Sequence, residues 1–366
     1  MSMKNDFTER LTKIETALDK ALSMDFTQEW QKSSFAELSP SVKAQYIQNL
    51  IQPNRELISL GGKRWRPLLL ILSYELSKNF YDNSISEDEA YALTPLVEFV
   101  HTASLIHDDI EDSADLRRGK PSAYITYGLD TALNAASWLY FEAPVCLNRI
   151  NIPDSLRLNF YNLYTNELRR LHLGQAMDIY WHRNKNIFPN QDEYMSMVKC
   201  KTGTLASLAA KVGFTAGGAA TENCEKIGEI AANIGIGFQI IDDVINLTKG
   251  NPGKKRGDDI VEGKKSLPVL IHIEKCPEDK EKISALMEQA QKEGINSPAV
   301  EECIALLEKS NCITEAAEKG KNLIHKNCRA FAGYFDGCKQ VQTLDSEKTA
   351  SLITDLFDSM IPKDFK

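Results

Sequence analysis

The spacing of apolar residues is the feature that most restricts how this chain can fold. In the first segment, the apolar residues recur at steps of three or four, at Phe7, Leu11, Ile14, Leu18 and Leu22, which places them on one face of an α-helix. Helical periodicity continues over residues 88–112, 158–182, 193–213, 224–249 and 279–293. Alternating β-branched runs bounded by turn residues, which are typical of strands, are scarce. The pattern predicts an all-α fold.

The segments between these predicted helices are short and rich in turn residues. They read FYDNS at 80–84, NKNIFPNQ at 184–191, KGNPGKKRG at 249–257 and KCPEDK at 275–280. No repeat or low-complexity stretch divides the chain. We therefore expect one domain over residues 1–366, folded as a single large helical bundle with a central cavity.

The composition limits the classes of protein to which this chain can belong. Its 366 residues are 43% hydrophobic and 26% charged, which suffices for a large core. The net charge of −8 argues against a general nucleic-acid binder, because no basic surplus is present to neutralise phosphates. An anionic ligand must therefore be held by a local basic cluster.

Cysteine usage and hydropathy favour a cytoplasmic protein. The eight cysteines include no CxxC pair, so we expect reduced thiols rather than a disulfide framework. The first residues carry no apolar signal core, unlike secretory and transit peptides. The longest aliphatic run, LLLIL at 68–72, is too short to span a bilayer.

Carboxylates are concentrated in the stretch HDDIEDSADLRRGKP. If residues 95–112 are helical, Asp108 and Asp112 lie one turn apart on one face, with Asp109 beside them. Like charges at that spacing repel unless cations neutralise them, and carboxylates together with substrate phosphates are the usual ligands of Mg²⁺. Taken alone, this DDxxD pattern could also be a solvated helix end.

A second acidic cluster repeats the same spacing. In FQIIDDVINL, Asp242, Asp243 and Asn246 occupy positions i, i+1 and i+4 within an apolar helical pattern. Buried carboxylates require partners, and helical bundles can hold metal ions on inward carboxylates. Two such clusters on facing helices could hold several metal ions and a polyphosphate.

Basic residues occur in short stretches punctuated by glycine. In LISLGGKRWRP, Lys63, Arg64 and Arg66 follow two glycines at a predicted helix start, where backbone N–H groups favour an anion. Three further stretches are KCKTGTL with Lys201 and Thr202, GNPGKKRGDD with Lys254, and VEGKKSLP with Lys264. Each one alone could be a solvated turn, but together they are what a pocket for diphosphates requires.

A histidine lies on the helix of the first acidic cluster. His101 precedes Asp108 by seven residues, or two turns, so we expect it to point toward the same cavity. A packed core histidine is the alternative. His107, next to the acid pair, receives no role.

Six stretches, in this order, resemble the trans-isoprenyl diphosphate synthase (polyprenyl synthetase) family. They are GGKRWRP, HTASLIHDDIEDSADLRRGKP, LHLGQAMDIYW, EYMSMVKCKTG, FQIIDDVINL and EGKKSLP, and the resemblance covers about residues 58–273. The DIYW segment, NAAS at 134–137 and the DDxxN form of the second cluster look most similar to eukaryotic-type geranylgeranyl diphosphate synthases.

The resemblance implies a fold and an activity. The fold would be an isoprenoid synthase-like bundle, completed by the N-terminal and C-terminal helices, in a homodimer or larger homo-oligomer. The reaction would join isopentenyl diphosphate, head to tail, to an allylic diphosphate with loss of pyrophosphate, using Mg²⁺ to stabilise the charge on the leaving group. No nucleic acid takes part, and bound pyrophosphate, rather than a side chain, would accept the proton.

The resemblance also implies roles for single residues. Mg²⁺ would be bound by Asp108, Asp112 and Asp242, helped by Asp109, and would bridge the allylic diphosphate. The positions that match the allylic diphosphate site are Arg117, Lys201, Thr202, Gln239, Lys254 and Lys264. Those that match the isopentenyl diphosphate site are Lys63, Arg66, His101 and Arg118. The expected catalytic set is Asp108, Asp109, Asp112, Arg117, Lys201 and Asp242.

Two small residues bear on product length. In this family the product grows along a tunnel beside the helix of the first cluster, and bulky side chains four and five residues before its first Asp stop growth. Those positions hold Ser104 and Ala103, whose alternative role is close helix packing. One turn rises about 5.4 Å, roughly one isoprene unit, so we expect a product longer than farnesyl: geranylgeranyl diphosphate, with longer chains as the rival. The next candidates for a tunnel floor are Val100, Val97 and Leu96, with Trp138, Tyr140 and Phe141 on a neighbouring helix.

Three departures from the family pattern leave alternatives open. Asn246 stands where the second cluster usually ends in Asp, Tyr124 where many relatives carry His, and Ser137 where NAGD would place Asp. A terpene cyclase would share the bundle and first cluster but would not need a second diphosphate site. An inert partner subunit would typically lose an acidic cluster, and a purely structural bundle would leave the basic stretches unexplained.

Overall fold

The computed structural model describes residues 3–81, 84–250, 255–336 and 344–362, and this part of the chain is almost entirely helical. In chain order the α-helices are α1 Met3–Ala21, α2 Gln28–Phe35, α3 Ala44–Ser59, α4 Trp65–Ser77, α5 Glu87–Ala92, α6 Pro95–Glu111, α7 Ala123–Tyr127, α8 Leu129–Glu142, α9 Asp154–Arg183, α10 Gln191–Val198, α11 Thr204–Ala216, α12 Thr221–Thr248, α13 Asp258–Glu262, α14 Leu267–Lys275, α15 Lys280–Glu293, α16 Pro298–Lys309, α17 Cys312–Ala332 and α18 Leu344–Asp358. Two short strands, β1 Leu116–Arg117 and β2 Lys120–Pro121, pair as an antiparallel hairpin. The all-α prediction is confirmed.

The predicted helix over residues 88–112 is in fact two helices. α5 ends at Ala92 and α6 begins at Pro95, which occupies the first turn of α6. Proline has no N–H to bond to the preceding turn, and its fixed φ suits the first turn of a helix, so it starts a helix more readily than it continues one. Pro95 marks this helix start in the sequence, but the apolar periodicity continues across it and predicts one helix instead of two.

The predicted helix over residues 193–213 is also interrupted. A π-helix over Lys199–Gly203 separates α10 from α11. A π-turn widens the helix locally, and such turns are often found at functional sites. Here the π-turn carries Lys201 and Thr202, two of the predicted substrate-binding residues.

The described chain divides into two compact units whose segments alternate along the sequence. The first contains Met1–Asn166, Leu208–Gly228 and Asp336–Ile353, and the second contains Glu167–Ser207, Glu229–Phe335 and Thr354–Lys366. The limits of the units fall inside helices, because α9, α11, α12 and α18 each contribute residues to both units. The expectation of a single domain stays a prediction.

The first unit is organised around α6. This helix packs against α3, α4 and α8, and its side chains Val97, Val100 and Ala103 are fully buried. A buried valine stabilises the fold by about 1.5–3 kcal/mol relative to an exposed one. Apolar burial therefore fixes the helix whose C-terminal end carries the first acidic cluster.

The second unit has a core formed by α10, α12 and α14–α17. Ile240, Val244 and Leu247 of α12 are buried in it, together with Leu270 of α14 and Ile304 of α16. Because one face of α12 enters this core, polar residues of the second acidic cluster on that face must also be buried.

One helix in the described part, α12, is long and apolar enough to cross a membrane by length and composition, but 72% of its apolar window is buried inside the protein. The LLLIL run belongs to α4 and is buried as well. Both segments are therefore accounted for as core helices.

Candidate active site

The first acidic cluster lies where α6 ends. Asp112 caps the C-terminus of this helix, and its N–H donates to the Asp108 carbonyl at 2.8 Å. The side chains of Asp108 and Asp112 are half-buried, whereas Asp109 is only 1% exposed. A helix C-terminus carries partial negative charge, so this is an unfavourable place for carboxylates without cations.

A hairpin brings the first cation to this cluster. The turn between β1 and β2 consists of Arg118 and Gly119, both with positive φ, the geometry of a tight two-residue hairpin. Arg117 on β1 donates from Nε to Asp109 Oδ1 at 2.8 Å, and its Nη2 contacts the same oxygen. Arg117 Nη2 also lies 3.7 Å from Asp108 Oδ2. The predicted ligand Asp109 is therefore the buried partner of the predicted diphosphate-binding Arg117.

The other arginine of the hairpin packs onto the glycine pair. Arg118 Nη1 donates to the carbonyls of Leu57, at 3.3 Å, and Gly61. A Cβ added to Gly62, whose φ is +151°, would lie 3.1 Å from Arg118 Nη2. Gly62 therefore lets the guanidinium lie flat against the backbone, which fixes its position.

Arg118 shares its surroundings with a half-buried arginine and a half-buried histidine. Arg66 Nη1 lies 3.3 Å from His101 Nε2, and the Arg66 guanidinium stacks on the Trp65 ring at 4.4 Å. Burial lowers the pKa of Arg66 to about 10. Burial, and then the neighbouring arginines, lower the pKa of His101 well below 6.5. We call Arg66, His101 and Arg118 the basic cluster; within the described residues, the buried Arg66 Nε has no hydrogen-bond partner.

The acidic residues near the basic cluster form ion pairs with a different arginine, Arg64. Arg64 donates from Nη1 to Glu98 Oε1 and from Nε to Glu15 Oε1, both at 2.7 Å. Burial raises the pKa of Glu98. Arg64 is thus saturated, whereas the predicted residue Lys63 is exposed. The basic cluster therefore has a surplus of donors that suits an anion such as a diphosphate.

The second acidic cluster differs in exposure at each of its three positions. Asp242 is exposed, while Asp243 and Asn246 are buried. The side-chain Oδ1 of Asn246 accepts from the Asp259 N–H at 3.2 Å, so this side chain joins α12 to α13. Asparagine in place of aspartate at position 246 therefore removes no metal ligand from the solvent-facing side of the cluster, where only Asp242 presents a carboxylate.

Asp243 is held by neutral donors. Its Oδ2 accepts from the Tyr194 hydroxyl at 2.6 Å and from the Leu267 N–H at 3.3 Å, and its Oδ1 accepts from Gln239 Nε2 at 3.0 Å. Burial raises the pKa of Asp243 to about 6, although the bonds from Gln239 and Tyr194 lower it. Asp243 therefore fixes Gln239, a predicted substrate-binding residue, through a direct hydrogen bond.

The π-turn presents two more predicted residues. Lys201 Nζ lies 2.6 Å from Asp178 Oδ2, and the Thr202 hydroxyl donates to Gln239 Oε1 at 2.9 Å. A Cβ on Gly174 of α9 would lie 2.3 Å from the Lys201 nitrogen. Glycine at position 174 is therefore required for α9 to approach the backbone that carries Lys201.

The segment EGKKSLP holds the last predicted cation. Lys264 Nζ forms an ion pair with Glu262, and its N–H donates to the Asp259 carbonyl at 2.9 Å. The next residue, Lys265, is 4% exposed and lies 4.2 Å over the Phe188 ring, and burial lowers its pKa to about 8. The predicted residue Lys254 lies outside the described residues.

The two positions predicted to set product length carry small side chains and lie near buried residues of α6. Ala103 is fully buried, and the Ser104 hydroxyl donates to the His101 carbonyl at 2.8 Å. Of the candidate floor residues, Leu96, Val97 and Val100 are buried. Phe141 is 77% exposed, so its placement in a tunnel floor was wrong: it lies on the outer face of α8. Periodicity alone did not distinguish the two faces of this largely apolar helix.

Comparison with known proteins identifies the family of the chain. The model of the polyprenyl synthetase family matches residues 47–307. A geranylgeranyl pyrophosphate synthase of Penicillium crustosum is 34% identical over 76% of this chain and 80% of its own length. A geranylgeranyl diphosphate synthase of Sulfolobus acidocaldarius is 32% identical over 65% of this chain and 71% of its own. The chain belongs to the polyprenyl synthetase family.

A solved structure agrees with this polyprenyl synthetase assignment. The crystal structure of the geranylgeranyl pyrophosphate synthetase from Pyrococcus horikoshii matches with a TM-score of 0.76 and 27% identity, over 96% of this chain and 98% of the other. The resemblance drawn from six sequence stretches is confirmed, and so is the expectation of a trans-prenyltransferase. The family match extends beyond residues 58–273 at both ends.

The acidic clusters of this polyprenyl synthetase suit the divalent cation on which its family depends. In the first unit Asp108 and Asp112 offer half-buried carboxylates, and in the second unit Asp242 offers an exposed one. Hard oxygen ligands with few direct protein contacts are typical of Mg²⁺ sites, which also use phosphate oxygens and water. The buried Asp109 and Asp243 are engaged with Arg117 and Tyr194, so they serve to hold other groups.

Several residues that shape the site were missed by sequence reasoning. Glu15 and Glu98 fix Arg64, and Asp178 and Tyr194 contact Lys201 and Asp243. Asp178 and Tyr194 lie within stretches that carried the family resemblance, so they could have been singled out. Glu15 could not, because nothing in α1 marks it apart from other helical glutamates.

Two residues left without a role are brought together by the structure. His107 Nε2 lies 3.3 Å from the Ser137 hydroxyl, and the His107 ring lies 5.5 Å from that of Tyr140. Ser137, the departure in NAAS, thus pairs with the histidine that precedes the first acidic cluster. The contact links α8 to the end of α6.

Proposed function

We propose that this polyprenyl synthetase joins isopentenyl diphosphate, head to tail, to an allylic diphosphate and releases all-trans geranylgeranyl diphosphate, using Mg²⁺. The observation that carries this proposal is the basic cluster of Arg66, His101 and Arg118. A terpene cyclase handles one diphosphate, for which the acidic clusters and their cations would suffice. A second, separate set of half-buried donors is expected only where a second diphosphate binds.

Isopentenyl diphosphate is the proposed ligand of the basic cluster. Arg66 and Arg118 are fixed by ring stacking and by backbone carbonyls, so little side-chain entropy is lost when they bind an anion. His101 is uncharged at neutral pH in this setting and donates or accepts a hydrogen bond rather than adding charge. Lys63, which is exposed, would add a further cation for this diphosphate.

The allylic diphosphate is the proposed ligand of Lys201, Thr202, Gln239 and Lys264, with Arg117 and Lys254. Lys201 and Lys264 are paired with Asp178 and Glu262, so the incoming diphosphate must compete with these acids. The proposed Mg²⁺ ligands are Asp108, Asp112 and Asp242. When bound, Mg²⁺ supplies Lewis-acid stabilisation of the charge that forms on the leaving pyrophosphate.

The reaction needs few groups from the protein beyond these. The allylic C–O bond breaks and its electrons leave with pyrophosphate, while the isopentenyl double bond forms the new C–C bond. The resulting cation loses a proton to the bound pyrophosphate and forms the new double bond. Lys201, Lys264 and Arg117 hold the departing pyrophosphate, and buried apolar side chains of α6 such as Val100 exclude water from the cation.

The proposed product length rests on small side chains and on the relatives. Neither Ala103 nor Ser104 can close a tunnel one turn above the first acidic cluster, which favours products longer than farnesyl diphosphate. Two relatives described above are geranylgeranyl synthases, from Penicillium crustosum and Sulfolobus acidocaldarius. Longer polyprenyl chains are the second candidate, because the side chains one and two turns further on, Val100 and Val97, are only of medium size.

Chain-length analysis of the products tests the activity. The purified protein is incubated with Mg²⁺ and labelled isopentenyl diphosphate, in parallel with dimethylallyl, geranyl or farnesyl diphosphate. We expect geranylgeranyl diphosphate; longer products would select the second candidate. Hydrocarbon from an allylic diphosphate alone would indicate a cyclase, and no product with any starter would indicate an inert partner subunit.

Ala103→Phe tests the position of the floor. The larger ring should shorten the product to farnesyl diphosphate, because it fills the space one turn before Asp108. Ser104→Phe, at a half-buried position, serves as a second variant in case the fully buried substitution prevents folding. An unchanged product in both variants would remove the floor from this part of α6.

A second copy of the chain is the proposed partner. The outer face of α8 and the adjoining α7 carry exposed apolar side chains, namely Ile125, Leu129, Leu133 and Phe141. Contiguous exposed apolar residues of this kind mark interaction surfaces. Sedimentation should show a dimer that Phe141→Asp weakens, whereas a monomeric wild-type protein would exclude this dimer.

A cytoplasmic location is proposed from the reduced cysteines.

A further inference from the structure

A group of three potential metal ligands lies in the second unit, away from the acidic clusters in sequence. His272 is in the last turn of α14, Cys276 caps that helix, and Asp279 ends the short 3₁₀ turn that follows. One ligand atom from each residue lies within 4.8 Å of the others. The backbone holds the three together, because the Cys276 N–H bonds to the His272 carbonyl and the Asp279 N–H to the Cys276 carbonyl.

The hydrogen bonds of the histidine indicate which ring nitrogen is available. The Ser310 hydroxyl donates to the Leu307 carbonyl at 3.1 Å and lies 2.8 Å from His272 Nδ1. With that proton on the Leu307 carbonyl, Ser310 can accept from Nδ1–H. In that tautomer the Nε2 lone pair faces Asp279 Oδ2, 3.1 Å away. The two atoms can then share a metal ion that lies between them.

The geometry points to a transition-metal site formed by His272 Nε2, Cys276 Sγ and Asp279 Oδ2, with zinc as the ion it suits best. Zinc bonds of about 2.0–2.2 Å at a tetrahedral angle place a nitrogen and an oxygen ligand about 3.4 Å apart, close to the separation seen here. A shift of Cys276 Sγ by about 1 Å completes the set. The second bond from His272 to Ser310 is the support that metal-binding histidines usually have.

The ligand chemistry separates this site from the magnesium ligands proposed for catalysis. Thiolate and imidazole favour zinc and its neighbours in the transition series, whereas magnesium prefers oxygen ligands. His272 is buried, but Cys276 and Asp279 are half-buried, so an ion has access and water can take the fourth position. Lys275, the residue before Cys276, pairs with Glu315 at 2.7 Å.

The ion would act as a clamp on α14. That helix begins at Leu267, whose N–H binds Asp243, and directly follows Lys264 and Lys265. At its other end, His272 contacts Ser310 in the short connection between α16 and α17. Binding at His272, Cys276 and Asp279 would therefore stabilise the end of α14 opposite the catalytic segment and raise the melting temperature.

Cobalt spectroscopy tests the site directly. Co²⁺ is added to the reduced protein in excess Mg²⁺, which occupies the acidic clusters, and a sulfur-to-cobalt charge-transfer absorption is expected at one equivalent. Cys276→Ser should abolish this absorption and Zn²⁺ should displace it. Cys200→Ser, at another half-buried cysteine, should retain it. No absorption in the wild-type protein, or its survival in Cys276→Ser, would overturn the site.

Two further variants test Asp279 and the support of His272 without replacing the buried histidine. Asp279→Asn should weaken Zn²⁺ binding at least tenfold and reduce the rise in melting temperature caused by Zn²⁺. Ser310→Ala should weaken it by about 10- to 100-fold, since it removes the hydrogen bond that orients His272. Unchanged Zn²⁺ affinity in Asp279→Asn would show that His272 and Asp279 form an ordinary hydrogen-bonded pair and would contradict the proposal.

Discussion

The two acidic clusters have the same spacing of side chains, yet the protein holds them in opposite ways. At the end of α6, Asp108 and Asp112 reach solvent while the buried Asp109 is neutralised by the cation Arg117. In the middle of α12, only Asp242 reaches solvent, and the buried Asp243 is held by uncharged donors. The first cluster thus offers two carboxylates from a charged setting, and the second offers one from a neutral setting.

In both places the second residue of the pattern is buried and bonded to other side chains, and we propose that it is an anchor rather than a metal ligand. A carboxylate buried beside an arginine stays ionised, whereas one buried among neutral donors is easier to protonate. The raised pKa of Asp243, about 6, expresses that difference. The number of available metal ligands is therefore set by which face of each helix is buried.

Removing one exposed carboxylate from each cluster should give the largest effect. Asp108→Ala should lower kcat by about three orders of magnitude, several kcal/mol of transition-state stabilisation, because an ion that neutralises the leaving group loses a ligand. Asp242→Ala should have a similar effect, since no other residue of its cluster faces solvent. Steady-state kinetics with saturating Mg²⁺ measure both.

The melting temperature of the metal-free protein is the control for these two variants. Asp108→Ala should leave the melting temperature of the metal-free protein unchanged or raise it, because it relieves repulsion at a helix C-terminus. Near wild-type turnover in Asp108→Ala would remove the metal role of the first cluster. Near wild-type turnover in Asp242→Ala alone would show that the second cluster is structural.

The pH dependence of stability should distinguish the two buried acids. The pKa of Asp243 is about 6 in the folded protein against 3.8 in the unfolded chain, so the folded state binds the proton more tightly. Stability from this group is present below pH 3.8 and is lost as pH rises through 6, by about 3 kcal/mol. In the metal-free protein, the unfolding free energy of wild type relative to Asp243→Asn should fall across that range. A flat difference would contradict the neutral setting.

The fold was easier to predict from sequence than this difference. Apolar periodicity gives the helices, since core packing requires it, and Pro95 marks the start of α6. The face on which Asp243 lies follows from what packs against α12, and that depends on residues far away in sequence such as Leu267. The opposite setting of Asp109 depends on Arg117, whose hairpin was not predicted, although Gly119 is a turn signal.

Removing charge from the first anchor should cost more stability than removing it from the second. Asp109→Asn leaves the partly buried Arg117 without its main partner, and we expect a loss of about 2 kcal/mol of unfolding free energy at neutral pH. Asp243→Asn loses hydrogen-bond acceptors but also removes a buried charge, so its net effect should be smaller. Urea unfolding measures both. Equal losses would mean that the two anchors are equivalent.

The smallest expected effect belongs to a neutral donor of the second anchor. Tyr194→Phe removes the 2.6 Å hydrogen bond to Asp243 and leaves the Gln239 and Leu267 bonds in place. The loss should be about 1 kcal/mol above pH 6, where Asp243 is ionised, and smaller below it, because a protonated carboxyl needs fewer donors. The pKa of Asp243 should rise further, which moves the pH transition of stability upward. If Tyr194→Phe instead lowers stability equally at all pH values, the tyrosine acts through packing alone. The neutral setting of Asp243, in contrast to the ion-paired Asp109, would then depend on its bonds from Gln239 and the Leu267 N–H.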